Sequence, residues 1–311
     1  MSTYEHVTEF AGLQVTDFTS ATQAGSLPAA GSTAWRVWVD DFVEEFDPFQ
    51  ELFARFLATV DTTQVTALII GNYGACHEVN ASEPRDLLVA AAARFPNLRA
   101  LFFGEVLQME SEISWIEQCD VTPLFTAFPG LETVVIRGGS GLVLEPPNSR
   151  VLRELRLEAG GLPAGVVRAV AAGDLPALVR LELWLGVSEY GGDATVADLA
   201  PILRGDRLPA LRHLGLEDSE IQDELCSAVA SAPVVARLES LSLAMGVLTD
   251  EGAEALLSGQ PLSHLTELDL HHHFLTDAMA ERVRAALPGI TVNLDEQGKS
   301  DDEWRYVAVA E

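Results

Sequence analysis

The residues best suited to chemistry lie close together: Asp269, His271, His272 and His273, with His264 just before them. Imidazole nitrogens and a carboxylate are the ligands of a zinc or other divalent-metal site. Alternation along an extended chain puts Glu267, Asp269 and His271 on one face and His272 beside it. Asp269, His271 and His273 are therefore the weak metal candidates. No third or fourth ligand follows at a clear spacing, so the cluster reads as the polar end of a strand, and neither a metal nor another cofactor is expected. Gly138-Gly139-Ser140-Gly141 fails as a nucleophile elbow, because Leu142 stands where glycine is needed. It has no lysine to serve a phosphate loop and reads as a turn. Acid pairs such as Glu154 and Glu158 carry no specific signal in so acidic a chain, and no Ser-His-Asp or Cys-His set stands out. No catalytic residue is assigned, and the chain is not expected to be an enzyme.

The charge narrows the partners. Against 47 Asp and Glu stand 19 Lys and Arg, for a net charge of −28 over 311 residues. Such a polyanion repels nucleic-acid phosphates and anionic membrane surfaces and attracts basic proteins. Cys76, Cys119 and Cys226 are far apart and show no C-x-x-C spacing, which argues against a disulfide framework and a thiolate metal site. No basic residue precedes Arg36, no secretory leader is expected, and no apolar run reaches membrane-span length. A reducing cytoplasm is the expected compartment.

These residues must be positioned by elements, and the elements repeat. The pattern L-x-x-L-x-L, with other aliphatic and aromatic residues substituting, begins at Val65, Leu98, Leu131, Leu152, Leu178, Leu211, Leu238 and Leu265, with a degenerate copy at Val292 and Leu294. The steps run from 21 to 33 residues. Fourth and sixth positions face a core as on a half-buried strand. One copy cannot bury that face alone, so neighbours must stack. Between copies lie helix-like segments: residues 86–95, 162–172, 196–203, 222–230, 250–257 and 277–287. Thr249-Asp250-Glu251 and Thr276-Asp277 supply caps and first-turn acids.

The repeat from Leu265 through Leu275 into Thr276-Asp277-Ala278, and that from Leu238 through Leu248 into Thr249-Asp250-Glu251, resemble the leucine-rich-repeat family, and most closely its ribonuclease-inhibitor-like class of long repeats. The resemblance covers about residues 65–295 and implies an α/β solenoid, an irregular horseshoe with parallel strands on a concave face and helices on a convex face. The ninth position, usually Asn or Cys in that class, is here Tyr73, Val106, Gly139, Gly160, Gly186, Ser219, Gly246 and His273. The asparagine ladder is missing, and less uniform loops are expected. The opening Phe10-Ala-Gly-Leu13, Trp35-Arg-Val-Trp38 and Arg305-Tyr-Val-Ala-Val309 resemble a group of bacterial leucine-rich-repeat proteins similar to ones encoded near radical-type and ATP-grasp modification enzymes. That resemblance implies a partner or recognition role for such enzymes.

Three divisions follow: residues 1–64 as arm and cap, 65–295 as a solenoid of about eight repeats, and 296–311 as closing cap. Residues 35–39 read as a strand, 49–58 as an amphipathic helix and 14–33 as a partly mobile arm. Residues 295–303 read as a polar loop, and 304–309 as a strand protecting the sheet edge.

The third, fifth and seventh positions of each copy point out of the strand face. They begin apolar with Ile69, Phe102 and Val135. They pass through Arg137, Glu154, Arg156, Glu158, Arg180, Glu182, an exposed Trp184, His213 and Glu217, and end at Asp269 and His271. Exposed aromatics and arginines of this kind are anchors at protein interfaces. The opposing readings are that Arg and Glu pair across the sheet and that the arm covers the aromatics. The function expected is a protein- or peptide-binding scaffold, its partner including a modification enzyme or its substrate. The alternatives are a metal-dependent protein centred on His271 and His273, and an acidic inhibitor of a basic protein.

Overall fold

The computed structural model describes residues 4–23, 25, 27–40, 46–299 and 304–311. It shows a repeat-built α/β solenoid in which strands and helices alternate along the chain and, within each compact unit, strands neighbour one another in chain order. The chain divides into two compact units, residues 1–144 with 151–154, and residues 145–150 with 155–310.

In the first unit, β2 (Leu13–Phe18), β3 (Ala34–Val37), β4 (Ala67–Gly71), β5 (Ala100–Glu105) and β6 (Thr133–Arg137) pair in parallel, neighbour to neighbour. β1 (Glu9–Phe10) turns back antiparallel on β2. The stretch expected as a partly mobile arm thus contributes a paired strand. Its Thr16 and Val15 stand opposite Trp35 and Ala34, and its Phe18 is buried against Phe56. The helices are α1 (Phe49–Thr59), α2 (Ser82–Ala90) and α3 (Thr122–Ala127), the last of which the sequence did not announce. In α1, Phe49, Leu52, Phe53 and Phe56 recur at helical spacing and are buried. Phe56 meets Trp35 edge-on and stacks with Phe95, tying helix, strand and the next repeat into one core.

In the second unit, β7 (Glu154–Glu158) is followed by β8 (Arg180–Gly186), β9 (His213–Ser219), β10 (Ser240–Ser242), β11 (Glu267–Asp269) and β12 (Thr291–Asn293). β8 to β12 pair in parallel. The helices are α4 (Ala164–Ala172), α5 (Val196–Arg204), α6 (Gln222–Val229), α7 (Asp250–Leu257) and α8 (Asp277–Ala286). Leu181, Leu183, Leu214, Leu216, Leu268 and Leu270, at the fourth and sixth positions, are wholly buried. Thr249 and Thr276 cap α7 and α8 as expected, accepting from the N–H groups of Glu251 and Met279. Each also donates its hydroxyl to the first-turn acid of the preceding repeat, Asp223 and Asp250 respectively. A Thr-Asp pair therefore both starts a helix and clasps its neighbour.

The strand face of the first unit is not open. The hairpin carrying β1 lays Val7 and Phe10 on Ala34, Ala67, Ile69, Ala100, Phe102 and Val135, with Leu13 and Val15 at the edge. Ile69, Phe102 and Val135, expected to face a partner, are instead buried beneath the chain's own residues. The hairpin is fastened by Glu105, which is fully buried. Its carboxylate accepts the Val7 N–H at 2.9 Å, lies 3.0 Å from His6 Nδ1 and pairs with Arg36 at 3.2 Å. Arg36 in turn donates to the Val7 carbonyl and pairs with Asp17.

Removing one partner of a buried ion pair leaves the other uncompensated. Glu105→Ala is expected to lower the unfolding free energy by about 3 kcal/mol, read from the urea midpoint at constant slope. Phe102→Ala is expected to cost about 3–5 kcal/mol. An unchanged midpoint for both would mean that the hairpin does not contribute to folding.

Candidate functional site

The second unit carries the polar part of the strand face. Register sets Arg180, His213, Ser240 and Glu267 side by side in one row, and Glu182, Gly215, Ser242 and Asp269 in the next. Adjacent strands are about 4.8 Å apart, so each row presents its side chains at a fixed step. Gly215 is required where it stands. A Cβ there would lie 3.0 Å from Glu182 Cγ and 3.1 Å from Glu217 Oε1, so the missing side chain is the space into which the two glutamates fold.

Glu182 is the hub. Its carboxylate pairs with Arg156, accepts from Arg180 Nε at 2.7 Å, and lies 3.0 Å from His213 Nε2. Burial alone would raise its pKa, but the His213 imidazole beside it, then Arg156 and Arg180, hold it at about 2. Arg156 also reaches Glu158 at 3.5 Å, and His213 Nδ1 contacts the Ser240 hydroxyl at 2.6 Å. Glu217 behaves oppositely. Its own burial and the Glu182 charge push its pKa up, against the Ser242 hydroxyl and Arg156. Two carboxyls over one glycine are thus driven apart, one ionised and one biased towards its neutral form.

Several expected site residues serve this hub or the core rather than solvent. Trp184, expected to stand exposed, is only 1 % exposed. It lies opposite Glu217 on the neighbouring strand and donates its indole N–H to that carboxyl at 2.8 Å, so the polar edge of the ring is satisfied internally. Glu158 is buried beside Arg156. Arg137, in the first unit, is buried too. It donates to the Val106 carbonyl at 2.9 Å, with its guanidinium 5.3 Å from the Phe102 ring centre. Arg156, Arg180, His213, Asp269 and His271 remain partly exposed, as does Glu154 of the first unit, while Glu267 is exposed.

The histidines do not converge. His271 Nδ1 lies 2.9 Å from Asp269 Oδ1. His272 adopts positive φ and its Nε2 points to the Tyr306 carbonyl at 2.9 Å. His273 is buried, with Nδ1 accepting the Leu275 N–H and Nε2 facing the Leu294 carbonyl. That is the loop-backbone role of the missing ladder asparagine. Burial holds the His273 pKa below the usual histidine range. Among the described residues no group of three His, Cys, Asp or Glu is placed to hold a metal ion. Cys76, Cys119 and Cys226 are free and buried. Among the described residues no helix is long and apolar enough to cross a membrane.

Residues 304–309, expected as an edge strand, form no strand. They cross the carboxyl ends of β9, β10 and β11 instead. Val309 N–H donates to the buried Asp218 carboxyl at 2.9 Å, Ala308 N–H to the Met245 carbonyl at 2.8 Å, and Val307 is buried. Of the polar stretch before it, residues 300–303 lie outside the described residues.

Comparison with known proteins places this arrangement. A crystal structure of a protein from Bacteroides fragilis is similar over 83% of this chain and 72% of its own, at 30% identity and a TM-score of 0.77. An internalin from Listeria monocytogenes aligns over 84% of this chain and 74% of its own at 13% identity, with a TM-score of only 0.36. The APL1 leucine-rich repeat domain aligns over 83% and 74% at 13% identity, with a TM-score of 0.24. Neither a protein-family model nor a curated protein matches the chain.

The Asp269–His271 contact makes stability depend on pH. The hydrogen bond to Asp269 raises the His271 pKa. That contribution is complete below the unfolded histidine value and is lost as pH rises through the folded one. Burial would raise Asp269, but the bonds from His271 outweigh it and the net shift is downward. Its contribution is complete above the unfolded aspartate value and is lost as pH falls through the folded one. The Tm gap between wild type and His271→Ala is expected to be widest near about pH 5 and to close by about pH 9, measured by scanning fluorimetry. A gap that does not vary with pH would place the stabilisation in packing rather than in the ion pair.

Proposed function

The chain belongs to the same family as the Bacteroides fragilis protein, and from that premise and the geometry of its second unit we propose that it is a protein- or peptide-binding scaffold working through its strand face, with no catalysis of its own. The observation that carries this reading is the hub at Glu182. Binding is favoured by side chains whose rotamer freedom is already spent, because ordering them on contact costs about 0.5–1.5 kcal/mol each. Arg156, Arg180 and His213 are all held by one carboxylate while keeping partly exposed surface. The row from Arg180 through His213 and Ser240 to Glu267 then presents positive charge at one end and negative at the other. Such a row fixes the direction in which a partner's complementary charges must lie.

The repeats read as leucine-rich repeats of the long, helix-containing kind, in which the strand side is concave. The partner class is a folded protein or an extended segment, including a modification enzyme or its substrate. A net charge of −28 disfavours nucleic acid and anionic membranes as partners. Three free, buried thiols accord with a reducing cytoplasm.

Arg180→Ala leaves Arg156 and His213 on Glu182, and Glu267→Lys reverses the far end of the row on an exposed side chain. Affinity capture from source-cell lysate with wild type and both variants, each shown folded by circular dichroism, is expected to recover a protein that both variants deplete at least tenfold. Equal recovery by all three would move the binding surface off this face.

A further inference from the structure

The eighth positions of three consecutive repeats, Asp218, Met245 and His272, share an uncommon backbone. All three are non-glycine residues in the left-handed region, with φ of 54°, 67° and 54°. Each keeps its N–H in the interstrand ladder, donating to the carbonyls of Ala244, His271 and Asp295. Left-handed φ costs a non-glycine residue about 1–2 kcal/mol, so three in register call for an explanation in what they bind. All three hold the same segment. Asp218 offers its carboxyl to the Val309 N–H, Met245 its carbonyl to the Ala308 N–H, and His272 its Nε2 to the Tyr306 carbonyl. Val307 is buried between these anchors in sequence, while the Tyr306 ring meets His272 and Phe274 edge-on.

The row contacts backbone atoms rather than charged side chains, so it recognises a backbone path that carries an aromatic residue followed by a small aliphatic one and bends at the next residue, Ala308. Its own segment fills it incompletely. Asp218 is wholly buried, and its burial and the Glu217 charge push its pKa up against the Val309 and Ala308 N–H groups, so the segment does not fully offset the burial of its carboxyl, while Oε1 of the buried Gln222 four residues on has no hydrogen-bond partner. Leaving a buried acceptor unmet costs about 1–3 kcal/mol. Trp304 and Tyr306 stay 84% and 62% exposed, so the segment brings little apolar surface to hold it there.

We propose that the row of Asp218, Met245 and His272 is a docking groove for a peptide segment of a partner protein, and that residues 306–309 occupy it in cis as a displaceable stand-in. This rests on the reading of the chain as a binding scaffold and adds a second surface to the strand face. The partner supplies two consecutive backbone N–H groups to Met245 and Asp218, an aromatic ring against His272, a small aliphatic side chain, and a further polar partner for the Asp218 carboxyl. The groove lies at the carboxyl ends of the strands and does not use the Arg180 row.

The test uses the full chain and a fluorescently labelled peptide of residues 304–311. A chain carrying Ala308→Pro and Val309→Pro lacks both N–H donors in cis. Saturable anisotropy binding to that chain is expected, weakened at least tenfold by adding Asp218→Ala and unchanged by adding Arg180→Ala. No binding, or equal binding with Asp218→Ala, overturns the groove. Should the prolines unfold the chain, hydrogen exchange at the Ala308 and Val309 amides of the wild type is followed against excess peptide. Exchange accelerating with peptide concentration supports displacement; exchange insensitive to peptide overturns it. Equal capture by wild type and Arg180→Ala alongside intact peptide binding would sink the strand-face reading and leave the groove standing.

Discussion

Everything in this molecule depends on one backbone contact repeated from strand to strand. The carbonyl at the second position of one repeat accepts two N–H groups from the next. Thr66 takes those of Arg99 and Ala100, Arg99 those of Glu132 and Thr133, and Arg212 those of Glu239 and Ser240. This contact fixes register, and register alone decides which residues share a row. A slip of one residue would turn Leu214 and Leu216 to solvent and His213 and Glu217 into the core. Because the contact links only neighbours, no repeat is stable alone and cover must come from outside the pattern. The hairpin at residues 4–15 supplies it on the first unit's apolar strand face, and residues 304–309 supply it across strand ends of the second.

The same register explains why the strand face changes character along the chain. Where third and fifth positions are Ala, Ile, Phe and Val, the face cannot remain wet, and Val7 and Phe10 close it. Where they are Arg, Glu, His and Ser, water is tolerated and the charges must settle among themselves. They do so through a buried carboxylate with three cationic or imidazole neighbours rather than through separate surface pairs, which would contribute little. Glycine at position 215 makes the hub possible, and no charge pattern in the sequence would have singled it out.

The fold was legible because eight copies of one pattern over-determine it. α7 (Asp250–Leu257) has the bounds read from the sequence, and the other anticipated helices are met within a few residues. Three features were not legible, each for a physical reason. α3 is six residues long, too short for a helical period to register, and opens on Thr-Pro. The exposure of Trp184 was misread because alternation gives a side chain's direction but not what lies opposite it. Its indole N–H needed an acceptor, and Glu217 two positions past Gly215 was the available signal. The first unit's cover was legible only as a possibility, since nothing local in residues 14–33 marks a strand. Its pairing comes from β3, a long-range partner.

The histidine run shows how a departure from the pattern that the repeats resemble becomes informative. Three consecutive imidazoles invite a metal reading, yet backbone geometry sends them three ways. His271 stays on the strand face with Asp269, His272 turns out through positive φ, and His273 returns inward to bond the loop. Only the last does the work of the absent asparagine, and burial lowers its pKa, which favours the ring form that accepts the Leu275 N–H. The second departure lies one position earlier in each repeat. Asp218 and His272 are types that tolerate left-handed φ, but Met245 is not, and a long apolar side chain would not be expected there. Met245 contributes a carbonyl, not its side chain, to the 306–309 segment. The conformation is therefore held by what the backbone must reach, and that requirement continues across three repeats whose side chains have nothing else in common.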